Sequence, residues 1–193
     1  VDIIFTTPFV DISRVKAATR NIHVFAPHMD CLRPGRGLAD ILPESLMAVG
    51  AEGVMLNHTE KQISVHILKE TMQRAEELGM STIVCADSIA EASLIAQMNP
   101  DIIVAEPSEL IGTDTTSGPE YAQAAIRAVK DVNPNILVLL AAGISNGQDV
   151  YYTIFSGADA TGSSSGIAKA ANREAMVDEM VSAVRRAWDA RSN

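Results

Sequence analysis

A parallel α/β barrel is the fold this sequence predicts, and three observations predict it. Short apolar runs alternate with segments of helical periodicity, seven times along the chain. Each run is apolar on both faces, the pattern of parallel strands covered by helices. Polar residues collect where the runs stop, as they do when the C-terminal ends of all the strands converge on one face. An open doubly wound sheet is the other architecture that serial βα units build, and the repeated polar strand tips favour the barrel. Seven units are one short of eight, and the deficit lies at the start.

The predicted strands are Ile3–Thr6, His23–Ala26, Gly53–Leu56, Thr82–Cys85, Ile102–Ala105, Ile136–Leu140 and Ala158–Thr161. They stop at Thr7-Pro8, Pro27-His28, Asn57-His58, Ala86-Asp87, Glu106-Pro107, Ala141-Ala-Gly143 and Gly162-Ser-Ser-Ser-Gly166 respectively. Proline cannot donate to a central ladder, so Pro107 ends its run. Between the strands, Gln62–Leu78 places Ile63, Ile67, Met72 and Ala75 at near-helical intervals, with Gly79 as a C-cap. Ser88 caps Ile89–Met98, with Glu91 at the capping-box position. Tyr121–Val132, Gln148–Phe155 and Asn172–Arg191 complete the predicted helices. There is no linker, low-complexity tract or run of like charge, and residues 1–193 are expected to form one domain.

A chain of this length buries roughly 70% of its unfolded surface. With 47% hydrophobic and only 4% aromatic residues, the core is aliphatic. Fifteen basic against 24 acidic residues give a net charge of -9, which argues against nucleic acid and anionic membrane as partners. A small anion stays possible, because backbone N–H groups bind phosphate without net positive charge. Cys31 and Cys85 share no metal-ligand spacing, no run reaches transmembrane length, and the residues after Val1 lack the regions of a signal peptide. A reduced, cytoplasmic chain without metal or cofactor is expected.

Two side chains at strand tips carry candidate chemistry. His58 ends the run Gly53–Leu56 and can donate or accept a proton, with Glu60 near enough to orient it; a loop or capping histidine is the alternative. Glu106 ends Ile102–Ala105 beside apolar loop residues, where desolvation tunes its proton affinity; a solvated glutamate leading the next segment is the alternative. Glu109 reads as a loop or cap residue, His23 and His66 as structural at a strand start and mid-helix, and His28 as intermediate. Two glycine-bearing turns, Ala142–Gly147 and Gly162–Gly166, let backbone amides approach an anion. Their position after the last two strands is where barrels of this kind bind phosphate.

Asn57-His-Thr-Glu60, Glu106-Pro-Ser-Glu-Leu-Ile-Gly-Thr113, Ala142-Gly-Ile-Ser145 and Ser164-Ser-Gly166 together resemble the triosephosphate isomerase family, most closely its shorter archaeal-type branch. The resemblance covers nearly the whole chain, in order. It implies a (β/α)8 barrel that interconverts dihydroxyacetone phosphate and glyceraldehyde 3-phosphate without a cofactor or metal. It implies Glu106 as the base, His58 as the group that polarises the carbonyl and enediolate oxygens, and Glu60 as a supporting carboxylate. Gly112, Gly143, Ser145, Ser165 and Gly166 would hold the phosphate.

Two departures from the family's pattern matter. The family opens with a strand carrying Asn-x-Lys, whose lysine contacts substrate; no such motif lies near this N terminus, and Lys16 falls in a helix-like segment. The first βα unit is therefore expected to be missing from this sequence. Asp114 stands where the family has glycine in a mobile loop. Isomerisation of another small phosphosugar, or non-catalytic binding of a phosphate ligand, are the alternative readings. The loop Asp30–Asp40 corresponds to one that packs against a neighbouring subunit in the family, so a homo-oligomer is expected.

Overall fold

The computed structural model describes residues 1–107 and 118–192. These fall into two compact units that divide between Cys85 and Ala86. Gly112, Glu109 and Asp114 lie outside the described residues.

The first unit runs β1 (Ile3–Thr6), α1 (Ile12–Ala18), β2 (Ile22–Ala26), α2 (Pro43–Ala48), β3 (Gly53–Leu56), α3 (Val65–Leu78) and β4 (Ser81–Ala86), whose last residue falls past the boundary. All pairings are parallel and follow chain order. Ile3 to Thr6 pair with Ile22 to Phe25, Phe25 and Ala26 with Gly53 and Val54, and Gly53 to Leu56 with Ser81 to Val84. Fully buried Val24, Ala26, Val54, Leu56 and Val84 form the spine of this sheet, and Leu68, Met72 and Ala75 of α3 cover it. Ser64 caps α3 through its hydroxyl to the Ile67 N–H, and Gly79 closes it in the left-handed region at φ +68°.

The second unit runs α4 (Ile89–Ala96), β5 (Ile102–Ala105), α5 (Pro119–Lys130), β6 (Leu137–Leu140), α6 (Gly147–Phe155), β7 (Ala160–Thr161), α7 (Ser165–Ala168) and α8 (Arg173–Ser192). β5 pairs with β6 and β6 with β7, again parallel. Ile144, Val150, Met180 and Ala183 form a core that fastens α6 to α8, with Tyr151, Ile167, Met176 and Val184 packed against it.

Several expectations need correction. β1 is not buried on both faces: Phe5 is 47% exposed, because β1 is paired on one side only among the described residues. α3 starts at Val65, since Asn57 to Ser64 are taken up by a single 3-10 turn at Thr59–Lys61 and its flanks. His66 is therefore in the first turn of α3 rather than mid-helix. The capping box at α4 is offset by one residue: Ser88 accepts from the Glu91 N–H, but the Glu91 carboxylate accepts from Asp87 N at 2.9 Å rather than from Ser88. Gly162–Gly166 is not only a turn, because α7 begins at Ser165.

Gly53 is set by packing rather than by backbone conformation. A Cβ there would overlap the Phe25 ring and lie 2.6 Å from the Ser81 carbonyl oxygen. Phe25 thus fills the space a side chain would take, at the register where β3 pairs with both β2 and β4. Gly53→Ala should destabilise by about 1–3 kcal/mol, the usual cost of overpacking. Chemical denaturation would measure it, and a variant as stable as the parent would contradict the packing account.

Candidate functional site

The first candidate group is built by the end of β3. Leu56 is fully buried, and the chain must then turn to reach α3. Asn57 makes the turn in the left-handed region, at φ +57°. His58 follows as the N-cap of the 3-10 turn, and its Nδ1 accepts from the Glu60 N–H at 3.3 Å. A backbone N–H can only donate, so Nδ1 must be the acceptor. In the neutral ring the proton is then on Nε2, which is left as a donor. The His58 side chain is 28% exposed, so the ring is partly open to solvent. The Glu60 carboxylate is 3.8 Å from Nδ1 and 87% exposed, so what Glu60 visibly gives the ring is its amide.

The second candidate group is at the end of β5. Ile102 to Ala105 are all buried, and Glu106 N donates to the Ala86 carbonyl at 3.1 Å. Pro107 is buried beside it. Burial raises the Glu106 carboxyl above its ordinary range. A carboxylate so placed is a stronger base than a solvated one.

The two glycine turns meet each other in the second unit. Ser163 Oγ donates to the Ile144 carbonyl at 2.7 Å. A Cβ on Gly166 would come within 2.8 Å of the same carbonyl and 3.0 Å of Ser145 Cα. Gly166 is therefore needed for the turns to approach, in addition to any approach of a ligand. Gly143 turns at φ +73°, where glycine is favoured.

The α6 terminus is already supplied with carboxylates. Asp149 Oδ2 accepts from Ser145 N at 3.0 Å and from Ser145 Oγ at 2.8 Å, and Glu179 Oε1 accepts from Gly147 N at 2.7 Å. Asn146 caps the Gln148 and Asp149 amides. A phosphate taken by the Ser145 N–H would have to exchange for Asp149. The first amides of α7, at Ser165 and Gly166, have no intrahelical acceptor by construction. Asp149 and Glu179 were not foreseen from sequence, and Ser163 was foreseen only as part of the turn 162–166, not for its bond to Ile144. Of the two carboxylates, Asp149 alone carried a signal, being three residues after the N-cap asparagine.

The remaining histidines take structural places. His28 is buried, and its Nε2 lies 3.2 Å from Asp30 Oδ1. Asp30 also accepts from Ile41 N, so this pair anchors the base of the loop 30–41. His23 and Lys16 both hold Glu52, which precedes β3. These hydrogen bonds, that of Lys16 foremost, hold the Glu52 carboxyl below its ordinary range. Lys16 lies on α1, as its helix-like surroundings suggested. Among the described residues, no group of three or more His, Cys, Asp or Glu side chains has metal-binding geometry, and no helix is long and apolar enough to cross a membrane.

Serial parallel βα units with chemically active side chains at the C-terminal strand tips are the traits of the (β/α)8 class of enzymes. The family model described as triosephosphate isomerase matches residues 1–183, and the chain belongs to that family. Three relatives, each bearing the name triosephosphate isomerase, illustrate the similarity. That of Methanocaldococcus jannaschii is 36% identical over 90% of this chain and 80% of its own length. That of Sulfurisphaera tokodaii is 34% identical over 94% and 80%. That of Methanobacterium bryantii is 33% identical over 95% and 82%.

The raised proton affinity of Glu106 has a thermodynamic consequence. Its folded-state pKa lies above the reference value of 4.5, so folding disfavours the ionised form. The protonated group carries no such penalty, and stability is lost as pH rises from 4.5 through the folded-state value. Glu106→Gln should therefore melt at a higher temperature than the parent at pH 7, and the gap should close below about pH 4.5. Thermal unfolding across pH measures this; a gap of the same size at pH 7 and pH 4 would contradict the assignment of burial as the cause.

Proposed function

We propose that this chain interconverts dihydroxyacetone phosphate and glyceraldehyde 3-phosphate, as its relatives' names imply for them. Glu106 takes the proton from the carbon next to the carbonyl, and the electron pair moves onto the carbonyl oxygen. His58 donates a hydrogen bond from Nε2 to the oxygens of the resulting enediolate. Glu106 then returns the proton to the neighbouring carbon, and no bond to phosphate is made or broken. Glu60 orients His58. Gly112, Gly143, Ser145, Ser165 and Gly166 are proposed for the phosphate, chiefly through main-chain amides.

The observation that carries this reading is the desolvated carboxylate of Glu106 at the end of a buried strand, because abstraction of a carbon-bound proton needs a strong base and a dry site. The orientation of His58 supports it: a neutral ring with Nε2 as donor serves an oxygen that gains charge in the reaction. We further propose that both units belong to one eight-unit barrel. In this reading a strand bearing Asn-x-Lys, wherever it is encoded, pairs with the edge of β1 that has no partner strand among the described residues, and supplies a lysine to the substrate. The exposure of Phe5 favours a covering segment beside β1.

Steady-state kinetics with the triose phosphates test the roles. Glu106→Gln should lower kcat by about 10²–10⁴-fold. His58→Ala should lower kcat more than it weakens binding of inorganic phosphate. Appending a strand with Asn-x-Lys should raise turnover. Phosphate binding with no turnover, before and after the strand is appended, would leave a phosphate-binding protein in place of the isomerase.

The protein is proposed to be a cytoplasmic homo-oligomer that associates through the loop Asp30–Asp40. Asp30 N donates to the Ile41 carbonyl, Arg74 Nε to the Leu32 carbonyl, and Arg33 pairs with Glu77. These contacts hold the loop's base and flank while Leu38 stands fully exposed. Leu38→Asp should convert the oligomer to a monomer in light scattering. An unchanged mass would exclude this loop as the interface.

A further inference from the structure

Asn57 does more than end a strand. It is buried, at 7% exposure, and it holds a left-handed backbone conformation that few residues other than glycine adopt. Its side chain is engaged at both ends. Nδ2 donates to the Cys85 carbonyl at 3.0 Å, and Oδ1 accepts from the Ile63 N–H at 3.2 Å. Cys85 belongs to β4, the neighbour of β3 in the sheet. Ile63 lies just beyond the 3-10 turn Thr59–Lys61.

Those contacts enclose His58. The segment from His58 to Gln62 begins at the Asn57 backbone and ends at an N–H that the Asn57 side chain holds. The Glu60 amide that fixes the ring tautomer is inside this closed segment. The Nδ2 bond to the Cys85 carbonyl ties the whole segment to the sheet.

We propose that Asn57 is the positioning residue of His58, setting both the direction of the ring and the tautomer that faces the substrate. This rests on the reading of His58 as the hydrogen-bond donor to the enediolate. Asparagine suits the position because one residue must tolerate the left-handed turn and offer both a donor and an acceptor at short reach. Glycine meets only the first need. Aspartate keeps the acceptor for Ile63 but turns a carboxylate oxygen toward the Cys85 carbonyl.

The experiment compares Asn57→Gly and Asn57→Asp with the parent, in the full chain. Ring ¹⁵N shifts of His58 report its tautomer, and kinetics separate kcat from KM. In the parent, His58 should show one neutral tautomer with Nε2 protonated. In folded Asn57→Gly the ring should sample both tautomers, and kcat should fall by about 10²-fold, the scale of a 1 Å misplacement, with little change in KM. Asn57→Asp should fall between the two, and it decides the question if the glycine variant does not fold. Parent-like ring shifts together with parent-like kcat in either folded variant would overturn the proposal. If neither the parent nor the chain with the appended Asn-x-Lys strand shows turnover, the isomerase reading fails, and the ring shifts alone still decide the role of Asn57.

Discussion

A parallel strand buried on both faces leaves a polar side chain nowhere to go but its ends, and the chemistry of this protein follows from that constraint. β3 and β5 are lined by residues such as Val54, Leu56, Ile103 and Val104, none more than a few per cent exposed. The first polar side chains after them are Asn57 and His58 in one case and Glu106 in the other. The same burial that drives the sheet together raises the proton affinity of Glu106. Stability and reactivity are opposed at this residue, because an ionised carboxylate there costs folding energy that a solvated one would not.

The acidity of the chain is handled locally. A net charge of -9 offers no long-range attraction for a phosphate. The turn 142–147 even carries carboxylates at the α6 terminus, where Asp149 and Glu179 take amides that would otherwise face an anion. The Asp149 bonds tie the turn to α6, the Glu179 bond fixes it against α8, and the Ser163 hydroxyl fixes it against the turn 162–166. The outcome is a pair of turns held in mutual contact, with the first amides of α7 next to them. In the proposed function, phosphate recognition is a matter of backbone placement, and Gly166 is valuable because it has no side chain to push the turns apart.

Much of this was legible in the sequence. Ile3–Thr6, Gly53–Leu56 and Ile102–Ala105 appear as strands with those bounds, because β-rich runs closed by proline or polar residues leave little choice of limits. Family membership was legible too, through motifs spread along the chain in order. Other features were not. The exposure of β1 depends on which strands pair with it, and an apolar run does not encode that. α7 is one turn long, too short for periodicity to reveal. The Asn57 clamp and the contacts of Ser163 join residues that are 28 and 19 positions from their partners. Such pairs exist only once the strands are in register. Asn57 did carry a local hint, being an asparagine directly after a buried strand, but its role was hidden behind the histidine beside it.

The central claim is that Glu106 moves a proton between adjacent carbons, and solvent exchange tests it most directly. The protein would be incubated with dihydroxyacetone phosphate in deuterium oxide, and the carbon-bound protons followed by NMR. The account predicts that the parent introduces deuterium at the carbon from which the proton is taken, and that Glu106→Gln, folded, does so only at the slow uncatalysed rate. Deuterium incorporation by Glu106→Gln at the parent's rate would contradict it, since another group would then be the base.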